Sequence, residues 1–214
     1  MVSIQTIIKP ITDAEFEEMI SEEDIKKSIW RWRKVYYLEK NRKCKRCNLS
    51  QVNNRNTMYK INDQIYPFSI RRPFFYKIDR GDHVYVRTYR MIIYGIMQYS
   101  KSMKTIVMKA SGYNLGKMLV KKRAIKSLDD LPKIFILQRI GILDIVNESL
   151  NNMTINIYEC MSCYGMKNIG ETMCDFEAGV IEGVLEELYG KNTTIEKYCW
   201  GKGDHFCGFE VYFE

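Results

Sequence analysis

The spacing of apolar residues changes along this chain, and the changes mark its elements. From Thr172 to Tyr189, Phe176, Val180, Ile181, Val184, Leu185 and Leu188 return every three or four positions, which places them on one helical stripe. Thr172 followed by Asp175 has the form of a capping box, and Gly190 stands where such a helix ends. On both sides the period falls to two. ILDIVNES and MTINIYEC, with a turn at Asn151-Asn152, predict an antiparallel hairpin; TTIEKYC and HFCGFEVYF, joined through Trp200-Gly201-Lys202-Gly203-Asp204, predict two more strands. The C-terminal unit therefore reads β-β-α-β-β, an α+β architecture in which helices pack on an antiparallel sheet.

Upstream, residues 88–122 carry two helical patterns around Ser100 to Ser102. A third helix is expected to open at Ser127, with Asp130 three residues on, and to close at Gly141. Residues 11–40 place acidic side chains early and basic ones late, as a helix dipole favours. The following NRKCKRCNLSQVNNRN is a loop or linker by composition, and the aromatic and β-branched run from Met58 to Tyr89, broken by Pro67, Pro73 and Arg80-Gly81-Asp82, predicts short strands. These patterns divide the chain into a basic helical segment with its linker, residues 1–60, and a ligand-binding-type domain, residues 61–214.

Composition narrows the class. With 214 residues, 46% of them hydrophobic, the chain can bury enough surface to offset its entropy, so disorder is excluded. The longest apolar run, Met91 to Met97, is far short of the ~20 residues that cross a bilayer. The N-terminus lacks the basic and apolar regions of a secretory signal, and a cytoplasmic location is expected. The net charge of +7 hides an asymmetry: residues 151–214 hold 4 Lys+Arg against 11 Asp+Glu, while the preceding 150 hold 29 against 15. The two parts attract each other. The basic part could also meet nucleic acid or an acidic partner, though a solvated lysine-rich surface is the favoured reading.

Seven cysteines in a reducing compartment point to metal binding or burial rather than disulfides. Cys174 is expected in the first turn of its helix, where the dipole favours a thiolate. Cys199 and Cys207 flank a hairpin connection that lets their sulfurs converge. A closed tetrahedral zinc site needs a fourth ligand, for which Glu196, Asp204 and His205 are the local candidates. The pattern Cys174-x4-Gly179-x3-Gly183, then Glu196-x2-Cys199-x3-Gly203-Asp204-x2-Cys207-x-Phe209, resembles the 4-vinyl reductase domain family. That family shares its fold with a trafficking-complex subunit group and with nitric-oxide-sensing haem domains, and it forms the sensor part of phenol-responsive transcription activators. The resemblance implies a zinc ion held by Cys174, Glu196, Cys199 and Cys207, an apolar pocket between sheet and preceding helices for a small apolar or aromatic molecule, and a homodimer formed through helices.

On a regular strand Glu196 and Cys199 would face opposite sides, so a bulge or strand end must reorient one of them. Three thiolates and one carboxylate leave about −2 on a zinc site, to be offset by helix amides, Lys197 or Lys202. Four protein ligands leave no open position, so the zinc would be structural. His205 is the alternative to Glu196 as ligand, and buried free thiols are the alternative to any metal. Cys44-x2-Cys47 and Cys160-x2-Cys163 could together make a second metal site, but their separation in sequence gives no reason to bring them together.

Signals for catalysis are sparse. No Gly-x-Gly-x-x-Gly follows a strand, and the chain has only two histidines. The segment Gly112-Tyr-Asn-Leu-Gly116-Lys117 is one residue short of a phosphate loop and has Met118 where Ser or Thr should stand; its glycines fit a close approach of two helices. A non-catalytic sensor domain is the favoured function. The alternatives are a regulator binding nucleic acid or protein through residues 1–60, and a reductase of a vinyl-bearing tetrapyrrole, the activity the family's name suggests.

Overall fold

The structure is a computed structural model and describes residues 20–41, 59–61, 64–66, 71–149 and 152–214. Helix α1 (Glu22–Asn41) is followed by a small antiparallel pair, β1 (Tyr59–Ile61) and β2 (Gln64–Tyr66). Helices α2 (Pro73–Ile78), α3 (Asp82–Tyr99), α4 (Lys101–Lys121) and α5 (Asp130–Leu137) come next. The C-terminal unit is β3 (Ile142–Glu148), β4 (Asn152–Tyr158), α6 (Asp175–Tyr189), β5 (Asn192–Tyr198) and β6 (Cys207–Phe213). Its strands form one antiparallel sheet in the order β3-β4-β6-β5, the α+β arrangement expected from the alternating pattern.

Alternation along the strands gives the sheet two apolar faces. Met153, Ile155 and Ile157 of β4, with Phe209 and Val211 of β6, join Ile93, Leu131, Phe135, Val180 and Val184 in the main core. Ile142, Tyr158 and Phe206 pack with Tyr36 of α1 and Phe74 and Phe75 of α2 in a second core. Helix α1 is fastened there by Trp32, which stacks on Tyr158 with ring centroids 5.9 Å apart, and by Arg33, whose Nε and Nη2 donate to the two oxygens of Asp144 at 2.8 and 2.6 Å. Tyr158 donates its hydroxyl to the same carboxylate.

Several expectations need correction. Among the described residues of the run from Met58 to Tyr89, only 59–61 and 64–66 are strands; residues 73–78 and 82–99 are helical. Pro73 pre-sets the first helical turn of α2, and in α3 the buried set Val86, Arg90 and Ile93 follows the helical period, which outweighs the β-propensity of Val84, Tyr85 and Val86. The third helix spans Asp130–Leu137 rather than Ser127 to Gly141: Asp130 accepts from the amides of Lys126 and Ser127, so it ties down the turn before the helix. Cys174, not Thr172, is the cap residue of α6, and no side chain caps that end. Residues 11–19 of the expected first helix and the Asn-rich segment with Cys44 and Cys47 lie outside the described residues.

Helices α4 and α6 cross backbone to backbone. A Cβ at Gly112 would lie 2.1 Å from the carbonyl oxygen of Phe176, one at Gly116 2.4 Å from that of Val180, and one at Gly183 2.2 Å from that of Tyr113. This is the close approach expected of Gly112 and Gly116. Opposite charge flanks the contact: Lys109 meets Glu182, Lys117 meets both Glu186 and Glu187, and the buried Lys104 pairs with Asp175. The attraction between a basic upstream part and an acidic downstream part is thus realised along one helix pair.

Gly183→Ala should lower stability by about 3 kcal/mol, because the clash is with backbone that cannot rotate away. Gly95→Ala, helical with no atom within 4 Å of an added Cβ, should raise it by about 0.5–1 kcal/mol. Denaturant midpoints of the two variants check the contrast; equal midpoints would refute the close crossing.

Candidate metal centre

Five cysteines from four separate segments meet under the sheet, all of them buried. After β4 the chain passes through Glu159 at a φ of 50° and into a tight turn in which the amides of Tyr164 and Met166 donate to the carbonyls of Cys160 and Cys163 at 2.9 Å. That turn aims Cys160 and Cys163 inward. Cys174 sits at the N-terminus of α6. Cys207 opens β6 opposite Ile157. Cys199 follows β5, where the register with β6 shifts between Glu196 and Tyr198; this is the irregularity needed to turn Glu196 and Cys199 to one side. The amide of Cys199 donates to Asp204 Oδ2 at 2.8 Å, so Asp204 shapes the loop instead of facing the thiols.

The sulfurs are close. Cys160 lies 3.5 Å and Cys163 3.3 Å from Cys174, Cys163 lies 3.0 Å from Cys207, and Cys174 lies 3.4 Å from Cys207. Tetrahedral zinc with bonds of about 2.3 Å sets its sulfurs about 3.8 Å apart, so a small outward shift accommodates an ion. Two four-residue sets have ligand atoms all within 4.8 Å of one another: Cys174, Glu196, Cys199 and Cys207, and Cys160, Cys163, Cys174 and Cys207. The first is the set that the family resemblance implies. His205 belongs to neither; its ring packs edge-on against Trp200 at 5.3 Å.

Two carboxylates flank the thiols. Glu196 Oε2 accepts from the amide of Cys174 at 3.0 Å, while its Oε1 is buried and has no hydrogen-bond partner. Glu177 is wholly buried; its Oε1 accepts from Ser162 at 2.5 Å and from Cys160 at 3.2 Å, and its Oε2 has no hydrogen-bond partner. Burial, then the nearby sulfur charge of Cys199 and Cys160 respectively, pushes both carboxyls well above the usual carboxylate range. Burial works against the charged form of Cys160 too, but hydrogen bonds from its neighbouring thiols outweigh it and hold Cys160 low; the same thiol contacts hold Cys199 low. A divalent cation among these groups would reverse the penalty on every one of them.

Positive charge comes from an unexpected quarter. Lys197 lies against Glu210 on the surface, away from the cluster. The helix amide of Cys174 does serve Glu196, as expected. Behind the Cys160 turn, the buried Arg90 of α3 donates through Nε to the carbonyl of Met161 at 2.8 Å and through Nη2 to that of Tyr164 at 2.9 Å. Sequence reasoning missed Arg90, Glu177 and the arrival of Cys160 and Cys163. One signal was available for Glu177, since three residues along a helix bring it onto the same side as Cys174.

Between sheet and helices the side chains of Ile93, Leu131, Phe135, Leu143 and Ile155 belong to one buried apolar cluster. A cavity of about 290 Å³ opens beside the start of α4, lined by Met97, Lys101, Lys104, Glu171, Thr172 and Lys202 among others. Lys101 and Lys104 are engaged there by Glu171 and Asp175.

Residues 153–213, the span holding most of the sheet, α6 and all five buried cysteines, match the model of the 4-vinyl reductase (V-4-R) domain. Over 111 residues the chain is 31% identical to the uncharacterized protein MJ1460 of Methanocaldococcus jannaschii, covering 50% of this chain and 68% of that one. The chain belongs to the 4-vinyl reductase domain family. The uncharacterized protein MJ1642 of the same organism is 38% identical over 100 residues, 46% of this chain and 61% of that relative, so the match spans about three fifths of the relative's length. The phenol-responsive sensory domain of the transcription activator PoxR, solved with phenol, superposes with a TM-score of 0.52 at 12% identity, covering 79% of this chain and 90% of that one, a likeness of fold. Among the described residues no helix is long and apolar enough to cross a membrane.

Proposed function

We propose that this chain is a zinc-stabilised, non-catalytic sensor domain of the 4-vinyl reductase family that binds a small apolar or aromatic molecule. The observation that carries the metal part is Glu196 Oε1, a buried carboxylate oxygen without a partner beside Cys174, Cys199 and Cys207. A zinc ion there supplies the missing cation and joins the N-terminus of α6 to both final strands. Its four protein ligands close the coordination shell, so the ion stabilises the fold and activates no water. A reducing compartment, which we take to be the cytoplasm, keeps the thiols available.

The helical face turned away from the sheet supports self-association. Val84, Tyr85, Met91, Ile92 and Tyr99 of α3 continue into Met103, Ile106 and Val107 of α4 as exposed apolar side chains, with Tyr85 68% and Ile106 67% exposed. An apolar stripe of this kind suits a second copy of the chain, and a homodimer is the reading we adopt.

Three outcomes are expected. Elemental analysis of the native protein should find zinc, and Cys199→Ser or Glu196→Gln should lower its content and depress the thermal midpoint; unchanged metal in both variants overturns the ligand assignment. Replacing Ile92 and Ile106 by Glu should turn a dimer into a monomer in light scattering, and a monomeric wild type refutes the dimer. Titrating the zinc-loaded chain with a panel of monoaromatic compounds, phenol first, should raise the thermal midpoint in a saturable way; a flat response across the panel removes the sensor reading.

A further inference from the structure

The ligand set named above uses three of the five buried thiols. Cys160 and Cys163 remain, and they form the second set together with Cys174 and Cys207. The two sets share one edge, the Cys174–Cys207 pair with sulfurs 3.4 Å apart. To that edge the second set adds Cys160 and Cys163 and the first adds Glu196 and Cys199; Cys163 also interacts with Cys199, so the two sets lie against each other.

We propose that the cluster holds two divalent metal ions, with the thiolates of Cys174 and Cys207 bridging them. The second ion is coordinated by Cys160, Cys163, Cys174 and Cys207, a site of the zinc class with an all-sulfur shell. The proposal rests on the zinc reading of the first set only for the two shared sulfurs.

Three observations carry it. First, an unpartnered carboxylate oxygen lies beside each set: Glu196 Oε1 beside Cys199, and Oε2 of Glu177, whose other oxygen accepts from Cys160. Glu177 is a ligand in neither set, but a cation held by Cys160 and Cys163 lies next to it and lowers the cost of burying that carboxyl. Second, Cys160 and Cys163 have the two-residue separation that lets one turn present two sulfurs to one ion, and their turn is already closed by the Tyr164 and Met166 amides. Third, the charge is manageable. Five thiolates with Glu196 and Glu177 against two divalent ions leave about −3, part of which is offset by the buried guanidinium of Arg90 on the carbonyls of Met161 and Tyr164, behind the sulfurs of the second set. The sulfur spacings of 3.0 to 3.5 Å are shorter than the edge of a zinc tetrahedron, about 3.8 Å, so both ions require the thiols to move outward.

The test is metal stoichiometry of the full-length chain purified under reducing conditions. Two zinc ions per chain are expected, falling to one in Cys160→Ser and in Cys163→Ser, to one in Cys199→Ser, and to none in Cys207→Ser. One ion in the wild type, unchanged by Cys160→Ser and lost in Cys199→Ser, overturns the second ion and leaves the first site standing. One ion lost in Cys160→Ser and kept in Cys199→Ser overturns both the pair and the ligand set proposed above. If the variants fail to fold, cobalt(II) titration of the wild type decides: the thiolate charge-transfer band should saturate at two equivalents, and the paramagnetic resonance signal should rise to one equivalent and then fall as bridging sulfur couples the two ions. Saturation at one equivalent overturns the proposal.

Discussion

Helices α4 and α6 touch through their main chains, and the placement of the thiol cluster depends on that contact. Gly112 and Gly116 on one helix and Gly179 and Gly183 on the other remove every side chain that would hold the two apart. With α4 so near, α6 lies close to the sheet and buries Val180, Ile181, Val184 and Leu185. Its cap residue, Cys174, then comes within 3.5 Å of sulfurs carried by the β4–α6 loop and by β6. Lysines on α4 facing carboxylates on α6 fix which turn meets which, a role in register more than in strength, since exposed ion pairs add little.

The cluster concentrates what a protein interior tolerates poorly: five thiols and two carboxylates out of water. The surrounding fold commits specific backbone groups to it. The amide of Cys174 goes to Glu196, Asp204 holds the amide of Cys199, and the register of β5 slips where Glu196 must turn inward.

Much of this was legible in the chain, and the failures have physical causes. The helical stripe of α6, the four strands of the sheet and the approach of Cys199 to Cys207 follow from local periodicity and short spacings, which a sequence displays directly; Glu196 was singled out from Asp204 and His205 only by the family resemblance. Cys160 and Cys163 were visible as a pair but not as neighbours of Cys174, because that proximity is set by how β4 runs beside β6. Arg90 was invisible for a related reason: it sits about 70 residues before the carbonyls it serves, in a segment whose aromatic and β-branched composition suggested strands. The apolar pocket expected from kinship was not a reading of this chain's residues, and no periodicity or spacing in the sequence assigns its lining.

Arg90 gives helix α3 a second role. Its guanidinium grips the turn that carries Cys160 and Cys163, while the opposite side of the same rod shows Met91 and Ile92 to the outside. An α-helix is stiff over its 18 residues, so it cannot roll about its axis without dragging the sulfur-bearing turn with it. The exterior of α3 is therefore mechanically geared to the thiol-bearing turn through two neighbouring side chains, Arg90 and Tyr89, the latter with its hydroxyl 3.4 Å from Ser162 Oγ.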